Sequence, residues 1–135
     1  MKLEGGCYCK GVRYSVEGDP AMKAQCHCRE CQYISGGSPN VIIGMPASGF
    51  SVEKGETKSF ERSDIENAVT REFCPDCGTH LLSRVPNFPL VLIKVGTLDD
   101  PAVFEGPDIA IFTCDIQPFH HLPEGVPAHE RMPTG

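Results

Sequence analysis

Seven of the eight cysteines in the 135-residue chain fall into three tight groups: Cys7 and Cys9 in "GGCYCKGVRY", Cys26, Cys28 and Cys31 in "QCHCRECQY", and Cys74 with Cys77 in "FCPDCGTH". Clustered thiols can form disulfides, run dithiol redox chemistry or hold a metal ion. Two cysteines one residue apart on an extended segment point to the same face, poorly placed to bridge each other and well placed to grip one ion. A disulfide scaffold needs an export signal, and "MKLEGG" lacks the apolar stretch of one. The expected compartment is therefore the cytoplasm, where clustered thiols are more often metal ligands.

Cys74 and Cys77 form a C-x-x-C knuckle. Pro75 and Asp76 favour the turn and Gly78 supplies the unusual backbone angle after it. A thioredoxin-type redox motif needs a following helix, whereas "GTHLLSRV" reads as a strand, so metal is the preferred reading. Two and two can then make a tetrahedral set: Cys7, Cys9, Cys74 and Cys77 would close a structural zinc site, tying the first strand to a distant turn, although the eight thiols allow other groupings by count alone. Cys26, Cys28 and Cys31 supply three sulfurs within six residues. Three protein ligands leave a tetrahedral position open, the mark of a reactive zinc. The alternative is a second closed site, with Cys114 or a histidine as fourth ligand. His27 is expected to point away from the ion and pack. His80 is a weak alternative ligand, His120 and His121 either line a pocket or are solvated, and Cys114 is by default a structural thiol.

The elements that must position these groups are short. Fourteen glycines and twelve prolines punctuate β-prone runs such as "GVRYSVEG", "MKAQCHC", "NVIIGMP", "GFSVEKG", "TKSFERS", "AVTREFC", "THLLSRV", "LVLIKVG" and "AIFT". The pattern predicts an all-β class of short strands stapled by zinc, with one helical turn over 29–34 ended by "SGG". One domain is expected over 1–135, with a core of about 4–127 and an irregular extended tail that frays at its end. The net charge of −6 lacks an offsetting Lys/Arg run, which disfavours nucleic acid. No apolar run is long enough to span a bilayer.

The chain resembles the glutathione-dependent formaldehyde-activating enzyme (Gfa) family, which includes the centromere protein V group. The resemblance rests on "GGCYCKGVRYSV", "CHCRECQYISGGSPN" and "REFCPDCGTHLLSR", and runs on through "VLIKVGTLDDP" and "IFTCDIQPFHHLPEGVP". It implies an Mss4-like, β-tent fold with two Zn2+ ions: structural at Cys7, Cys9, Cys74 and Cys77, reactive and catalytic at Cys26, Cys28 and Cys31. It implies a carbon–sulfur lyase-type enzyme that joins glutathione or a similar thiol to formaldehyde or another small aldehyde. The chain departs from the family in having no tryptophan; "QPFHH" stands where members often carry one.

A thiol such as glutathione needs cations or backbone N–H groups for its carboxylates. Arg29, Arg71, Lys10 and Arg13 stand near the clusters in sequence, and Gly36, Gly37 and Ser38 could present N–H groups, although "SGGSPN" is equally a plain turn. The competing functions are a zinc-stabilised binding module without catalysis and a thiol-based zinc or redox sensor.

Overall fold

The computed structural model describes residues 1–133. The strands are β1 (Lys2–Gly6), β2 (Arg13–Glu17), β3 (Met22–Cys26), β4 (Asn40–Pro46), β5 (Phe50–Lys54), β6 (Lys58–Phe60), β7 (Thr70–Phe73), β8 (His80–Arg84), β9 (Leu90–Lys94) and β10 (Ile109–Ile111), with one helix, α1 (Arg29–Ser35), between β3 and β4. Four one-turn 3-10 segments complete the regular structure. The expected β-rich class with a single short helix is what forms. Gly36 ends the helix at φ 81° and donates its N–H to the Gln32 carbonyl, a left-handed cap that a side chain would strain.

The strands make two sheets, a small one in the order β1-β2-β5 and a large one in the order β10-β3-β4-β9-β8-β7-β6. All pairs are antiparallel except β10 with β3. Alternation assigns the two faces of the large sheet. Ile43, Met45, Val91 and Ile93 turn toward the small sheet and pack with Tyr14, Val16 and Leu3. The opposite face carries Ile42 and Leu92, which pack with Ala24, Cys26, Cys31 and Ile111 in a second cluster. Burying the first set stabilises by roughly 25 cal/mol per Å2 of apolar surface removed from water.

Register decides which residues meet on that second face. Arg71 lies opposite Ser83, Ser83 opposite Leu92, Leu92 opposite Gly44 and Gly44 opposite Met22. One step along, Lys94 lies opposite Ile42 and Ile42 opposite Ala24. A third row joins Asn40, Cys26 and Ile111. Residues far apart in sequence are thus placed side by side over one floor.

The tail follows β10. Ala110 accepts from the His129 N–H at 2.9 Å and donates to the Pro127 carbonyl at 2.9 Å. Its last two residues, where fraying is expected, lie outside the described residues. No helix among the described residues is long and apolar enough to cross a membrane.

Tyr14 offers a test of the inter-sheet core. It is 1% exposed and its hydroxyl meets the Thr97 Oγ1 at 2.7 Å. Burial disfavours the phenolate and pushes the group up from 10.0 to about 12. A pKa raised by folding adds stability that is intact below pH 10 and lost as pH climbs to about 12. Denaturant melts across that window should show about 3 kcal/mol of loss attributable to this group. Tyr14→Phe should remove that increment at a neutral-pH cost of about 1 kcal/mol. Equal alkaline slopes in the two proteins would refute it.

Candidate metal centres

Cys7 and Cys9 do not lie on a strand, contrary to the expectation from their spacing. β1 ends at Gly6, and the two cysteines sit in the turn before β2. Lys10 adopts φ 67° and donates its N–H to the Cys7 carbonyl at 3.0 Å, while the Cys7 N–H reaches the Val12 carbonyl at 3.1 Å. The turn, rather than strand alternation, brings the sulfurs together, at 3.5 Å. The Cys74–Cys77 turn has the expected form: Gly78 has φ 77° and donates to the Cys74 carbonyl at 2.9 Å. β8 follows it, so the helix required by a thioredoxin-type motif is replaced by a strand.

The two turns meet. The ligand atoms of Cys7, Cys9, Cys74 and Cys77 lie within 4.8 Å of one another, with Cys9 Sγ 3.7 Å from Cys74 Sγ. Sulfurs around a tetrahedral zinc stand about 3.8 Å apart, whereas a disulfide needs about 2.05 Å. Backbone N–H groups aim at the sulfurs: Val12 at Cys7 (3.2 Å), and Asp76 and Cys77 at Cys74 (3.4 and 3.5 Å). Such donors favour thiolates. The Thr79 hydroxyl and N–H hold Cys77 down to about 5. Four sulfurs at this spacing fit a tetrahedral ion.

Cys26, Cys28 and Cys31 form the second group, again within 4.8 Å. Cys26 closes β3. Cys28 is the N-cap of α1, accepting from the Cys31 N–H at 3.3 Å, and Cys31 lies in the first turn of the helix. Strand end and helix start therefore converge the trio. The Asn40 amide donates to Cys31 Sγ at 3.6 Å. Hydrogen bonds with Cys28 and Cys31 push the Cys26 thiol up, whereas those from Cys26 and Cys28 hold Cys31 down to about 2. Three thiols this close keep shared protons unless a cation replaces them, as metal binding does. Among the described residues no further cysteine, histidine or carboxylate ligand atom joins this trio. The donor set thus fits a thiophilic ion with three protein ligands.

The remaining candidates are placed as follows. His27 is fully buried and packs away from the trio. Its Nδ1 lies 3.0 Å from His120 Nδ1, and its Nε2 lies 3.1 Å from Gln25 Nε2. Proton roles follow from the partners. The Gly37 carbonyl can only accept, so His120 Nε2 donates to it at 2.7 Å. The Gln117 N–H can only donate, so His120 Nδ1 accepts, and His27 Nδ1 must be the donor to it. Both rings are neutral, and the pair fastens the tail to the loop after α1. His121 offers only its carbonyl, to Gln25. His80 is absent from both clusters; its buried Nδ1 has no partner among the described residues. Cys114 is exposed on a 3-10 turn. Arg29 bonds Gln32 and covers the Tyr33 ring.

A cavity of about 400 Å3 opens beside the trio on the outer face of the large sheet. Its walls include Met22, Ile42, Val69, Phe88, Leu92 and Ile111. Arg71, Ser83 and Lys94 line it as well, whereas Arg29, Gly36, Gly37 and Ser38 do not. Sequence reasoning singled out Arg71 among several cations but missed Lys94 and Ser83. The available signal was a lysine two residues from Leu92, on the same face of an apolar strand. Lys94 is 7% exposed; burial pulls it down to about 8, with Cys31 opposing that shift and Arg71 adding to it.

A family model described as glutathione-dependent formaldehyde-activating enzyme matches residues 2–115. Proteins of Aspergillus flavus and Halomonas elongata, provisionally named glutathione-dependent formaldehyde-activating enzymes, are 31% and 30% identical over 85 and 94 residues. These alignments cover 60% and 66% of this chain but 44% and 60% of those proteins, so the chain spans about half the length of the curated relatives it matches. A crystal structure of a Rhodobacter sphaeroides protein superposes with a TM-score of 0.60 at 17% identity, over 93% of this chain and 98% of that one, a likeness of fold.

Proposed function

The chain belongs to the glutathione-dependent formaldehyde-activating enzyme family, and from that premise we propose that it joins a low-molecular-weight thiol to formaldehyde or another small aldehyde, as a carbon–sulfur lyase-type enzyme, at Cys26, Cys28 and Cys31. The observation that carries this reading is the three-sulfur group that no fourth protein ligand joins among the described residues, lining a cavity. The other group, Cys7, Cys9, Cys74 and Cys77, serves as a structural zinc site within one domain.

The reaction forms a C–S bond as the carbonyl π bond breaks; the thiol proton leaves sulfur and ends on the carbonyl oxygen. A zinc ion held by the trio would supply acidity to the incoming thiol, lowering its pKa so that it attacks as thiolate. The chain's own residues do the rest. The Cys31 N–H and the Asn40 amide donate toward the sulfurs and hold them in place. Three anionic sulfurs would leave a divalent ion held there with net −1, a poor Lewis acid toward a carbonyl, which supports thiol delivery over carbonyl activation. Lys94 and Arg71 place positive charge on the same cavity wall, and the apolar walls exclude bulk water, strengthening polar interactions inside it.

Metal analysis should find two zinc ions per chain. X-ray absorption should show the mean sulfur count per zinc rising when a small uncharged thiol such as 2-mercaptoethanol is added, and thiol addition to formaldehyde should run faster than the spontaneous reaction at equal thiol. A single inert zinc, or a rate no higher than background, would turn the assignment to a non-catalytic zinc module.

A further inference from the structure

The cavity has a charge pattern that the thiol–aldehyde reading does not by itself require. Arg71, 8% exposed, already has an acid partner, with its guanidinium 3.0 Å from Glu30 Oε1. Lys94 pairs with no carboxylate among the described residues. Its ammonium donates to Ser83 Oγ at 2.9 Å, and Ser83 also lies 3.5 Å from the Arg71 guanidinium. A serine oxygen that accepts from two cations keeps its own proton to donate, and that proton has no acceptor in the protein among the described residues. The remaining Lys94 protons are in the same condition. A buried ammonium and a hydroxyl, both with unspent donors and both lining one cavity, form a site for a single anionic oxygen group.

We infer that the thiol substrate carries one carboxylate on a short hydrocarbon body, with the carboxylate held by Lys94 and Ser83 and the sulfur at the cysteine trio. This rests on the reading above, because it takes the sulfur end from it. The spacing follows from register. Cys26 stands at the level of Asn40 and Lys94 at the level of Ile42, two residues along β4 or roughly 7 Å. β3 and β9 flank β4, which adds roughly 10 Å across the strands, and the lysine arm and the cysteine side chains reach inward over that span. Between them the floor is Ile42 and Ala24, with Asn40 beside Cys26, and Leu92 and Met22 continue the apolar surface one row beyond Lys94. Glutathione suits this lining less well, because beyond Lys94 and Ser83 the polar lining is Asn40 and an Arg71–Glu30 pair whose members already satisfy each other. It brings two carboxylates, an ammonium and two amides, and each polar group without a partner costs about 1–3 kcal/mol. A thiol with an apolar middle and one terminal carboxylate leaves no such group unmatched.

The test separates the carboxylate end from the sulfur end. Pentanoate and pentanamide, which lack sulfur, are titrated into the zinc-loaded protein by NMR, alongside 4-mercaptobutanoate and 4-mercaptobutanamide. Each acid should bind about tenfold more tightly than its amide. Lys94→Met should bring the ratio near one while zinc content stays at two per chain, and Ser83→Ala should weaken the acids about fivefold. A wild-type ratio near one overturns the inference. So does loss of the second zinc in Lys94→Met, since the ammonium would then serve only to neutralise the sulfurs. If Lys94→Met does not fold, the wild-type ratios and Ser83→Ala decide. A pentanoate preference without any thiol contact to zinc would refute the sulfur chemistry and keep the carboxylate site. Thiol contact without a pentanoate preference would do the reverse.

Discussion

Cys74→Ser should leave a chain with no cooperative thermal transition. Cys74 is 1% exposed, belongs to the inter-sheet core and receives N–H groups from Asp76 and Cys77. A buried thiol-to-hydroxyl change alone costs about 1–3 kcal/mol. A four-sulfur zinc site contributes far more. Apparent binding energies in small zinc domains are about 10–16 kcal/mol, and they act as folding energy because the unfolded chain has no preformed site. A domain of this size has a net stability of about 5–15 kcal/mol. Loss of one ligand should therefore exceed what the sheets alone can carry. Circular dichroism melts and amide NMR dispersion provide the readouts. Cys74→Ala, which adds no hydroxyl, should fail equally, and stripping the wild-type protein with a strong chelator should reproduce the collapse. If either variant melts cooperatively within about 3 kcal/mol of wild type, the four sulfurs are not what holds the turn before β2 to the turn before β8.

How much of this was legible in the sequence depends on the range of the interaction concerned. The alternating runs became strands because period-2 patterning is local. "NVIIGMP" is β4, and "LVLIKVG" contains β9. "SGG" ended α1 because Gly36 needs the left-handed region, again a local demand. β1 went unread: in "KLEGG" the buried residues are Leu3 and Gly5, and Gly5 packs with no side chain to signal it. A Cβ there would come within 2.5 Å of the Tyr14 hydroxyl and 2.4 Å of the Thr97 carbonyl. The Cys7–Cys9 turn was mistaken for strand because its reversal falls at Lys10, a residue type that rarely takes positive φ. The pairing of Cys7 and Cys9 with Cys74 and Cys77 was readable as one way of giving a tetrahedral ion its four ligands. The Arg71–Ser83–Lys94 group was not. It exists only through the registers of β7, β8 and β9, and register is a long-range property that spacing cannot report.

Cys28→Ser should do the opposite of Cys74→Ser: it should keep the fold and abolish the chemistry. The contrast comes from where Cys28 sits. It is half-buried, outside the inter-sheet core, and its side chain caps α1 by accepting from the Cys31 N–H. Serine is among the best N-caps, so its oxygen can take over that bond while the thiolate is lost. The cooperative transition should persist, since the cap is kept and only the binding energy of the second ion is lost. Zinc content should fall from two per chain to one, because two sulfurs hold an ion far less firmly than three and even outer groups are worth about 10–100-fold in metal affinity. The rate above spontaneous thiol addition should drop by about 100-fold or more, with KM for the thiol unmeasurable rather than merely raised, since the group meant to meet the sulfur is gone. Cys28→Ala supplies the control. It loses the cap as well, so it should be about 1 kcal/mol less stable than Cys28→Ser but equally inactive. A serine variant that retains both zinc ions and full activity would mean the trio is structural after all. The thiol-handling reading would then have to rest on a different part of the cavity.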